Sequence, residues 1–333
     1  MASEFDVIRR YFQEATAARD DVILGIGDDC ALLRIPPGQQ LAVSMDTLVA
    51  GRHFVADANP TNLGHKALAV NLSDLAAMGA TPAWVTLSLT LPAADTTWLT
   101  HFMQGFSALA ATYQVQLIGG DTTRGPLSIT VQAHGYVPPD QALRRAGARV
   151  GDNIYVSGTL GDAGLALAAQ QGRYPLDAGA RSSVQPHLDR PTPRVALGCA
   201  LRQVAHAAID ISDGLGADLQ HICTASGVVA QILAQHLPLS ATVRAYIEQT
   251  QDWQLPVSAG DDYELLFTAA RADEARIRQI ARDLAVPVNC IGEITAAETM
   301  VMVLPDGTRC TPGAGYDHFA DLAEVCQNMQ PDT

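Results

Sequence analysis

The sequence predicts an α/β (α+β) protein of two domains, and three observations support this prediction. Segments in which apolar and polar residues alternate, typical of half-buried strands, are interspersed with segments of helical periodicity. The stretch 137–152, VPPDQALRRAGARVGD, combines proline, glycine and charge and is typical of an inter-domain connection. The 333 residues also exceed what one hydrophobic core usually supports. We expect an N-terminal domain over residues 1–140, a C-terminal α/β sandwich over 150–305 and a tail over 306–333.

In the N-terminal half, strands do not strictly alternate with helices, which indicates a mixed sheet. The clearest strand is 84–91, WVTLSLTL, where every second residue is apolar. The recurrence of Phe5, Ile8 and Phe12 predicts an amphipathic N-terminal helix rather than a signal peptide. We expect strands at 22–26, 31–35, 40–44, 84–91, 114–118 and 127–133, and helices at 61–79 and 96–113.

The C-terminal half repeats this mixture of strands and helices after the connection. Short apolar segments such as NIYVS at 153–157 predict strands, and segments of helical periodicity lie between them. We expect strands at 153–157, 228–233, 263–268 and 288–294, and helices at 162–171, 214–225 and 272–285.

Composition excludes several classes of function. A net charge of −14 argues against binding nucleic acid, and a nucleotide ligand would need cations to neutralise part of its charge. No apolar run reaches the roughly 20 residues of a membrane span. The six scattered cysteines contain no C-x-x-C pair and are typical of a reducing compartment, so we expect a cytoplasmic protein.

The chain lacks the familiar catalytic signatures, including the phosphate loop G-x-x-x-x-G-K-[ST] and the dinucleotide motif G-x-G-x-x-G. Aspartates at strand ends, glycines and helix starts remain. In GIGDDC, the adjacent Asp28 and Asp29 repel each other and a nearby cation would relieve the repulsion, although an exposed turn is favoured for this motif taken alone. In LAVSMDT, Ser44 and Asp46 follow an apolar strand, where they serve either as oxygen ligands or as a cap.

Asp74 is the aspartate for which a functional role is favoured most. Its helix, HKALAVNLSDLAAMGA, is apolar on most sides, so the carboxylate is expected to be at least partly buried. A buried carboxylate is unfavourable unless it is paired or bound to a metal. His65 and Lys66 lie about two turns away along the helix, too far to pair with it.

Three further segments supply carboxylates. In VQLIGGDTTRG, paired glycines precede Asp121 and allow backbone N–H groups to approach a phosphate, although a β-turn uses the same residues. In AIDISDGL, Asp210 and Asp213 lie between a strand and a helix N-terminus, where Asp213 is also a possible cap. SAGDDYELLF places Asp261 before a strand. Six such segments together favour a nucleotide site with several Mg²⁺ ions.

Five motifs, GIGDDCALL, NLSDLAAMGA, GGDTTRGPL, IDISDGL and GYDHF, occur in this order. Together they closely resemble the thiamine-monophosphate kinase family of the aminoimidazole ribonucleotide synthetase superfamily, from residue 4 to residue 320. The resemblance implies that ATP and thiamine monophosphate react to give ADP and thiamine diphosphate. It also implies a homodimer whose N-terminal sheets pair, with ATP near that interface.

The resemblance implies a role for individual residues, of which Asp74, Asp121 and Asp210 are expected to act most directly in the reaction. Metal ligation is implied for Asp28, Asp29, Ser44, Met45 (through its backbone carbonyl), Asp46, Asp74, Asp121, Asp210 and Asp213. ATP contacts are implied for Gly120, Asp121, Arg145 and Ser212. Contacts to thiamine monophosphate are implied for His53, Asp261 and Tyr316, of which Tyr316 would stack on the cationic ring.

Two departures from the family pattern affect these roles. Asp261 stands where the family commonly has glutamate, and its side chain is one methylene shorter. Met45 stands where threonine is common. Because the acceptor phosphate has a second pKa of about 6, it is largely dianionic at neutral pH and needs no general base. Three alternatives are a superfamily member with another acceptor, a non-catalytic sensor of nucleotide or thiamine phosphate and, less favoured, a metal-dependent phosphatase.

Overall fold

The N-terminal half folds around a four-stranded sheet with two long helices on one face. The computed structural model describes residues 4–13, 15–316, 318 and 319. The strand order is β3-β6-β4-β5, antiparallel except for the parallel pair β4 and β5, which α3 connects. The elements are α1 (Glu4–Val7, continued by a π-helical turn Ile8–Phe12), β1 (Val22–Leu24), β2 (Leu32–Leu33), β3 (Gln40–Val49), α2 (Pro60–Ala77), β4 (Thr81–Leu91), α3 (Thr96–Tyr113), β5 (Gln116–Arg124) and β6 (Ser128–Val137).

The C-terminal half folds around a seven-stranded sheet of order β13-β12-β9-β11-β7-β10-β8, in which only β12 and β9 pair in parallel. Its last strand extends past the predicted end of the domain at 305. The elements are β7 (Asn153–Ser157), α4 (Asp162–Gln170), α5 (Ala178–Asp189), α6 (Val195–Ala200), β8 (Ala207–Asp210), α7 (Leu215–Ser226), β9 (Val229–Leu233), α8 (Ala241–Thr250), α9 (Leu255–Ser258), β10 (Leu265–Ala269), α10 (Glu274–Leu284), β11 (Val288–Thr295), β12 (Val301–Val303) and β13 (Arg309–Cys310).

Helix α2 lies between the two sheets and is buried along most of its length. Asn59 caps its first turn by accepting hydrogen bonds from the backbone N–H groups of Thr61 and Asn62 at 2.9 and 3.2 Å. Gly64 allows α3 to cross closely, since a Cβ there would lie 1.9 Å from the Phe102 carbonyl oxygen. The apolar pattern around Asp74 is therefore the pattern of a helix enclosed on several sides.

The predicted α/β class with two sheets is confirmed, and most predicted strands and helices are present. The predictions for β3, β4, β5 and β6 were too short, and those for β3 and β5 concern predicted site residues. β3 continues through Asp46 to Val49 because it pairs with β6 along its whole length. β5 likewise continues through Asp121 to Arg124 beside β4, so the segment predicted as a phosphate-binding loop, with a β-turn as the alternative, is a strand. Within the described residues, no helix is both long and apolar enough to cross a membrane.

Candidate active site

Polar side chains on α2 connect the two sheets at one place. The Ser44 hydroxyl, on β3, donates a hydrogen bond to the Asp74 carboxylate. Ser73 donates to Asp210 Oδ2 at 2.7 Å, at the end of β8. The backbone N–H of Asp46 donates to Asn71 Oδ1 at 3.0 Å. Contacts of Asn71, Ser73 and Asp74 on one helix thus bring together Asp46, Asp74 and Asp210 from both domains. Asp213 is close enough for its charge to raise the pKa of Asp46, and we call these four residues the acid cluster.

The carboxylates of the acid cluster are buried near one another, which disfavours their ionised forms and raises their pKa values. Burial, followed by the charges of Asp74 and Asp213, raises the pKa of Asp46 to about 6. Burial, followed by the charge of Asp74, raises the pKa of Asp210 to about 8. Burial also raises the pKa values of Asp74 and Asp213, which the positive charge of Arg145 partly offsets. Such carboxylates become fully ionised when cations join them.

Asp218 organises the turn that carries Ser212 and Asp213. One of its carboxylate oxygens accepts hydrogen bonds from the backbone N–H groups of Ser212, Asp213 and Gly214 at 3.1, 3.2 and 3.2 Å. Burial, followed by the charge of Asp213, raises the pKa of Asp218 to about 7. The sequence analysis did not identify this residue. Its position in the first turn of α7, four residues after Gly214, is the signal that could have shown it.

The loop before β10 packs against the same turn in a strained conformation. Asp261 and Tyr263 have φ values of +70° and +48°, and the Asp261 N–H donates to the Ser212 carbonyl at 2.9 Å. A Cβ at Gly260 would lie 2.2 Å from the Ser212 carbonyl oxygen, so only glycine fits. The Lys66 ammonium lies 2.9 Å from Asp261 Oδ1. The fold thus places Asp261 beside Ser212, one of the residues predicted to contact ATP.

Tyr263 and Glu264 of the same loop lie in different electrostatic environments. Burial, followed by the charges of Asp261, Asp46 and Asp210, raises the pKa of Tyr263 well above its usual value. Tyr263 was missed at the sequence level, where it reads as the start of a strand. Glu264 is buried in an ion pair with Arg194, with nitrogen–oxygen distances of 2.7 and 2.5 Å, and anchors the loop instead of facing the acid cluster.

His53, His318 and Tyr316 form a row of rings near Asp261. The His53 and His318 ring centroids are 5.0 Å apart, and those of Tyr316 and His318 are 4.9 Å apart. The Tyr316 backbone N–H donates to the Asp213 carbonyl at 3.0 Å, which fixes the C-terminal segment to the acid cluster. Burial, followed by the charge of His318, lowers the pKa of His53. His318 lies in a quoted motif but was not assigned a role.

Arg145 is anchored by its backbone near the acid cluster. Ser226 Oγ accepts hydrogen bonds from the N–H groups of Gly147 and Ala148 at 3.1 Å each and donates to the Arg145 carbonyl at 3.2 Å. The Arg145 side chain is exposed, and its charge lowers the pKa values of Asp74 and Asp213. A cation is therefore available at the rim of the site.

Four predicted residues lie apart from the acid cluster. Asp28 and Asp29 are in an exposed segment, where the Asp29 N–H donates to Asp28 Oδ1 at 2.8 Å. Gly120 and Asp121 are exposed on β5, at the opposite edge of the sheet from β3. Across the sheet, Asp121 pairs with Ser88 of β4, Ser88 with Thr130 of β6, and Thr130 with Thr47 of β3. Asp121 is thus three strand spacings, about 14 Å, from β3.

Met45, the remaining predicted ligand, is on β3 between Ser44 and Asp46. Its side chain is 61% exposed on the face of the sheet away from α2. Its backbone pairs with Gln132 of β6. Only a main-chain atom of Met45 is therefore close to the two side chains of β3 that face α2.

The donor atoms of the acid cluster fit a hard cation such as Mg²⁺. They are carboxylate and hydroxyl oxygens, and the raised pKa values show that the carboxylates lack compensating positive charge. Among the residues that the structure describes, no group of three or more acidic, histidine or cysteine side chains is arranged to hold a metal ion by itself. This arrangement is compatible with Mg²⁺, which takes few protein ligands and completes its shell with water and substrate phosphates.

Comparison with known proteins identifies relatives that span nearly the whole chain. The AIR synthase related protein family matches through its N-terminal domain at residues 27–137 and its C-terminal domain at residues 149–304. Thiamine-monophosphate kinase of Salmonella typhimurium is 50% identical over 320 residues, 95% of this chain and 98% of that protein.

Two solved structures are also similar. The crystal structure of thiamine-monophosphate kinase from Stenotrophomonas maltophilia K279a has a TM-score of 0.84 and 47% identity, covering 92% of this chain and 97% of that one. The structure of AaThiL complexed with AMPPCP and TMP has a TM-score of 0.75 and 30% identity, covering 88% and 92%.

Proposed function

Because this chain belongs to the thiamine-monophosphate kinase family of AIR synthase related proteins, we propose that it transfers the γ-phosphoryl group of ATP to thiamine monophosphate, giving thiamine diphosphate. The observation that carries the proposal is the position of the acid cluster beside His53, Asp261 and Tyr316. A solved relative at 30% identity is a complex with AMPPCP and TMP, an ATP analogue and the proposed acceptor.

The acid cluster is proposed to hold Mg²⁺ together with the nucleotide phosphates. Asp46, Asp74, Asp210 and Asp213 would supply carboxylate ligands, with Ser44 and the Met45 carbonyl completing the set. When bound, the ions neutralise the repulsion between the phosphates of the two substrates and stabilise charge in the transition state. Ser212 lies on the turn that carries Asp213, and Arg145 lies at the rim of the site. Both residues are proposed to contact ATP.

The acceptor is proposed to lie between Asp261 and the row of rings. Tyr316 presents an aromatic face, which attracts a cationic ring, and Asp261 offers a carboxylate to the same cation or to its aminopyrimidine. His53 needs no role as a proton acceptor, because a phosphate dianion is already a competent nucleophile. We therefore expect direct in-line transfer, and a phospho-enzyme labelled by γ-labelled ATP would contradict it.

A homodimer would explain the position of Asp121. Leu41, Val43 and Met45 of the edge strand β3 are 44%, 50% and 61% exposed, an apolar strip on the face of the sheet away from α2 that a second sheet would cover. If the β5 edge of a partner adjoined this β3 edge, the partner's Asp121 would reach the acid cluster that this protomer's Asp121 does not. The proposed site would then be shared between protomers, in the cytoplasm, where ATP is available.

Product analysis tests the proposed reaction. The protein is incubated with ATP, MgCl₂ and thiamine monophosphate, and ADP and thiamine diphosphate are quantified by chromatography. Controls omit the acceptor, omit Mg²⁺ or offer thiamine instead. We expect equal amounts of the two products, and none from thiamine. Release of inorganic phosphate without thiamine diphosphate, or ATP binding without turnover, would contradict the proposal and favour a phosphatase or a sensor.

A further inference from the structure

Lys66 is the only lysine in the sequence, and every other basic side chain apart from histidine is an arginine. It lies on α2, the helix that carries Ser73 and Asp74. Its side chain is 6% exposed, whereas lysine is almost never fully buried unless it is paired. The one position at which the chain uses lysine is thus a buried position that faces the proposed site.

Within the described part of the chain, the only ion pair of Lys66 is with Asp261, at 2.9 Å, and the Asp261 side chain is 28% exposed. A buried ammonium has three N–H donors, so one carboxylate oxygen leaves donors for a second anion. Arginine would instead engage Asp261 through its planar fork, in a bidentate geometry that is harder to share. The compact charge of lysine suits a cation that has two partners.

Lys66 and the acid cluster lie at opposite ends of one face of α2. Asp74 follows Lys66 by eight residues, which corresponds to about 12 Å along the helix axis. His53 lies near Lys66 and Asp261, since the ammonium lowers and the carboxylate raises the His53 pKa. A phosphate at Lys66 would therefore lie beside Asp261 and His53, on the acceptor side of the site, where Asp261 adjoins Ser212.

We propose that the Lys66 ammonium binds the phosphate monoester of the acceptor, and that Asp261 is its partner when the acceptor is absent. The inference rests on the proposed function. The acceptor carries a cationic ring and a dianionic phosphate, and the adjacent Asp261 and Lys66 offer one charge of the opposite sign to each. On binding, the internal ion pair is partly exchanged for two pairs with the substrate, and no net charge is left buried.

The test compares thiamine monophosphate with thiamine, which lacks the phosphate, in Lys66→Met and in the charge-preserving Lys66→Arg. Calorimetry without ATP gives both dissociation constants for each variant. Because a charge-assisted hydrogen bond is lost, we expect the preference for the monophosphate to fall at least about tenfold in Lys66→Met. It should fall less in Lys66→Arg, which keeps the positive charge but shares it less readily with Asp261 and the phosphate. Equal weakening of both ligands, or no change in either, would overturn the proposal.

A second readout uses the uniqueness of this lysine. Protein labelled with ¹³Cε-lysine gives one lysine signal, which should shift on addition of thiamine monophosphate or inorganic phosphate but not of thiamine. A shift with thiamine alone would indicate that Lys66 only supports Asp261, and would contradict the proposal. If Lys66→Met fails to fold, Lys66→Met combined with Asp261→Asn removes both charges, and the same comparison of ligands applies.

These results separate the inference from the proposed function. A wild-type protein that forms no thiamine diphosphate, yet loses its preference for the monophosphate in Lys66→Met, would refute the reaction and leave the phosphate contact standing. A wild type that turns over normally, with equal losses for both ligands in the variant, would refute the contact alone.

Discussion

The carboxylates of the acid cluster differ from Asp28 and Asp121 in the contacts that fix their positions. Asp74 and Asp210 accept hydrogen bonds from Ser44 and Ser73, and burial raises their pKa values. Asp28 and Asp121 are exposed, and no hydrogen bond or ion pair joins them to the cluster within the described residues. The fold of one chain therefore prearranges the first group, whereas the second group depends on a ligand or a second chain to bring it into place.

The largest effect is expected from removing a charge in the acid cluster. Asp74→Asn should lower kcat/KM at least about 100-fold, because it removes a carboxylate that would stabilise the metal-bound phosphates. Its melting temperature without Mg²⁺ should not fall, since one repelling charge is lost. Steady-state kinetics and thermal unfolding measure both effects.

Asp140→Asn is the matched control for this substitution. Asp140 is exposed and has a φ of +61°, a conformation that asparagine tolerates. Its activity should stay within about twofold of the wild type, as for most surface substitutions. Equal losses in the two variants, or an Asp74→Asn enzyme with near-normal kcat/KM, would contradict the role given to the cluster.

A smaller effect is expected on the pH dependence of stability. The folded-state pKa values of Asp210 and Asp46, about 8 and about 6, lie above the ordinary value of 3.8. The folded state therefore holds protons that the unfolded state releases, so stability without Mg²⁺ is greatest below pH 4 for these groups and falls as pH rises towards 8.

Thermal unfolding in EDTA between pH 5 and pH 8 measures this slope. We expect the melting temperature to fall by a few degrees, and Mg²⁺ to raise it more at pH 8 than at pH 5. Asp210→Asn should flatten the dependence, because the group with the largest shift no longer titrates. A melting temperature that rises with pH in the wild type and stays unchanged in Asp210→Asn would refute the electrostatic account of the cluster.

The smallest effect is expected at Asp218, which positions the turn without facing the substrates. Asp218→Ala leaves the N–H groups of Ser212, Asp213 and Gly214, of which the last is buried, without their acceptor and should lower kcat/KM about tenfold. Asp218→Asn keeps an oxygen acceptor and should recover most of that loss. If asparagine performed no better than alanine, hydrogen bonding to the turn would not be the function of Asp218.

Local patterns in the sequence were sufficient to predict most of the fold. Alternation in WVTLSLTL and the apolar environment of Asp74 both correspond to what the structure shows in β4 and α2. The helix α5 was missed because its polar sequence, interrupted by Pro186, has no clear apolar periodicity. The extensions of β3 and β5 were missed because they depend on pairing with β6 and β4, which single-strand patterns do not reveal.

The candidate site was only partly predictable, because local motifs identify single residues but not the contacts between distant segments. Aspartates in short motifs could be identified one by one, and the structure gathers Asp46, Asp74, Asp210 and Asp213. Residues that act by supporting others were not identified: Ser73 lies within the motif NLSDLAAMGA but was given no role, and Asp218 lies outside all five motifs. The sequence analysis also did not predict the ion pair of Lys66, because its partner Asp261 is almost 200 residues away along the chain and comes close only in the folded protein.

The most direct test of the account is a mixture of two variants, Asp74→Asn and Asp121→Asn, each expected to be almost inactive alone. If each site combines Asp74 of one protomer with Asp121 of its partner, a mixed dimer has one intact site and one doubly altered site. After unfolding and refolding together in equal amounts, the mixture should regain about a quarter of wild-type activity. Activity no higher than that of the separate variants would contradict a shared site and place all catalytic carboxylates within one chain.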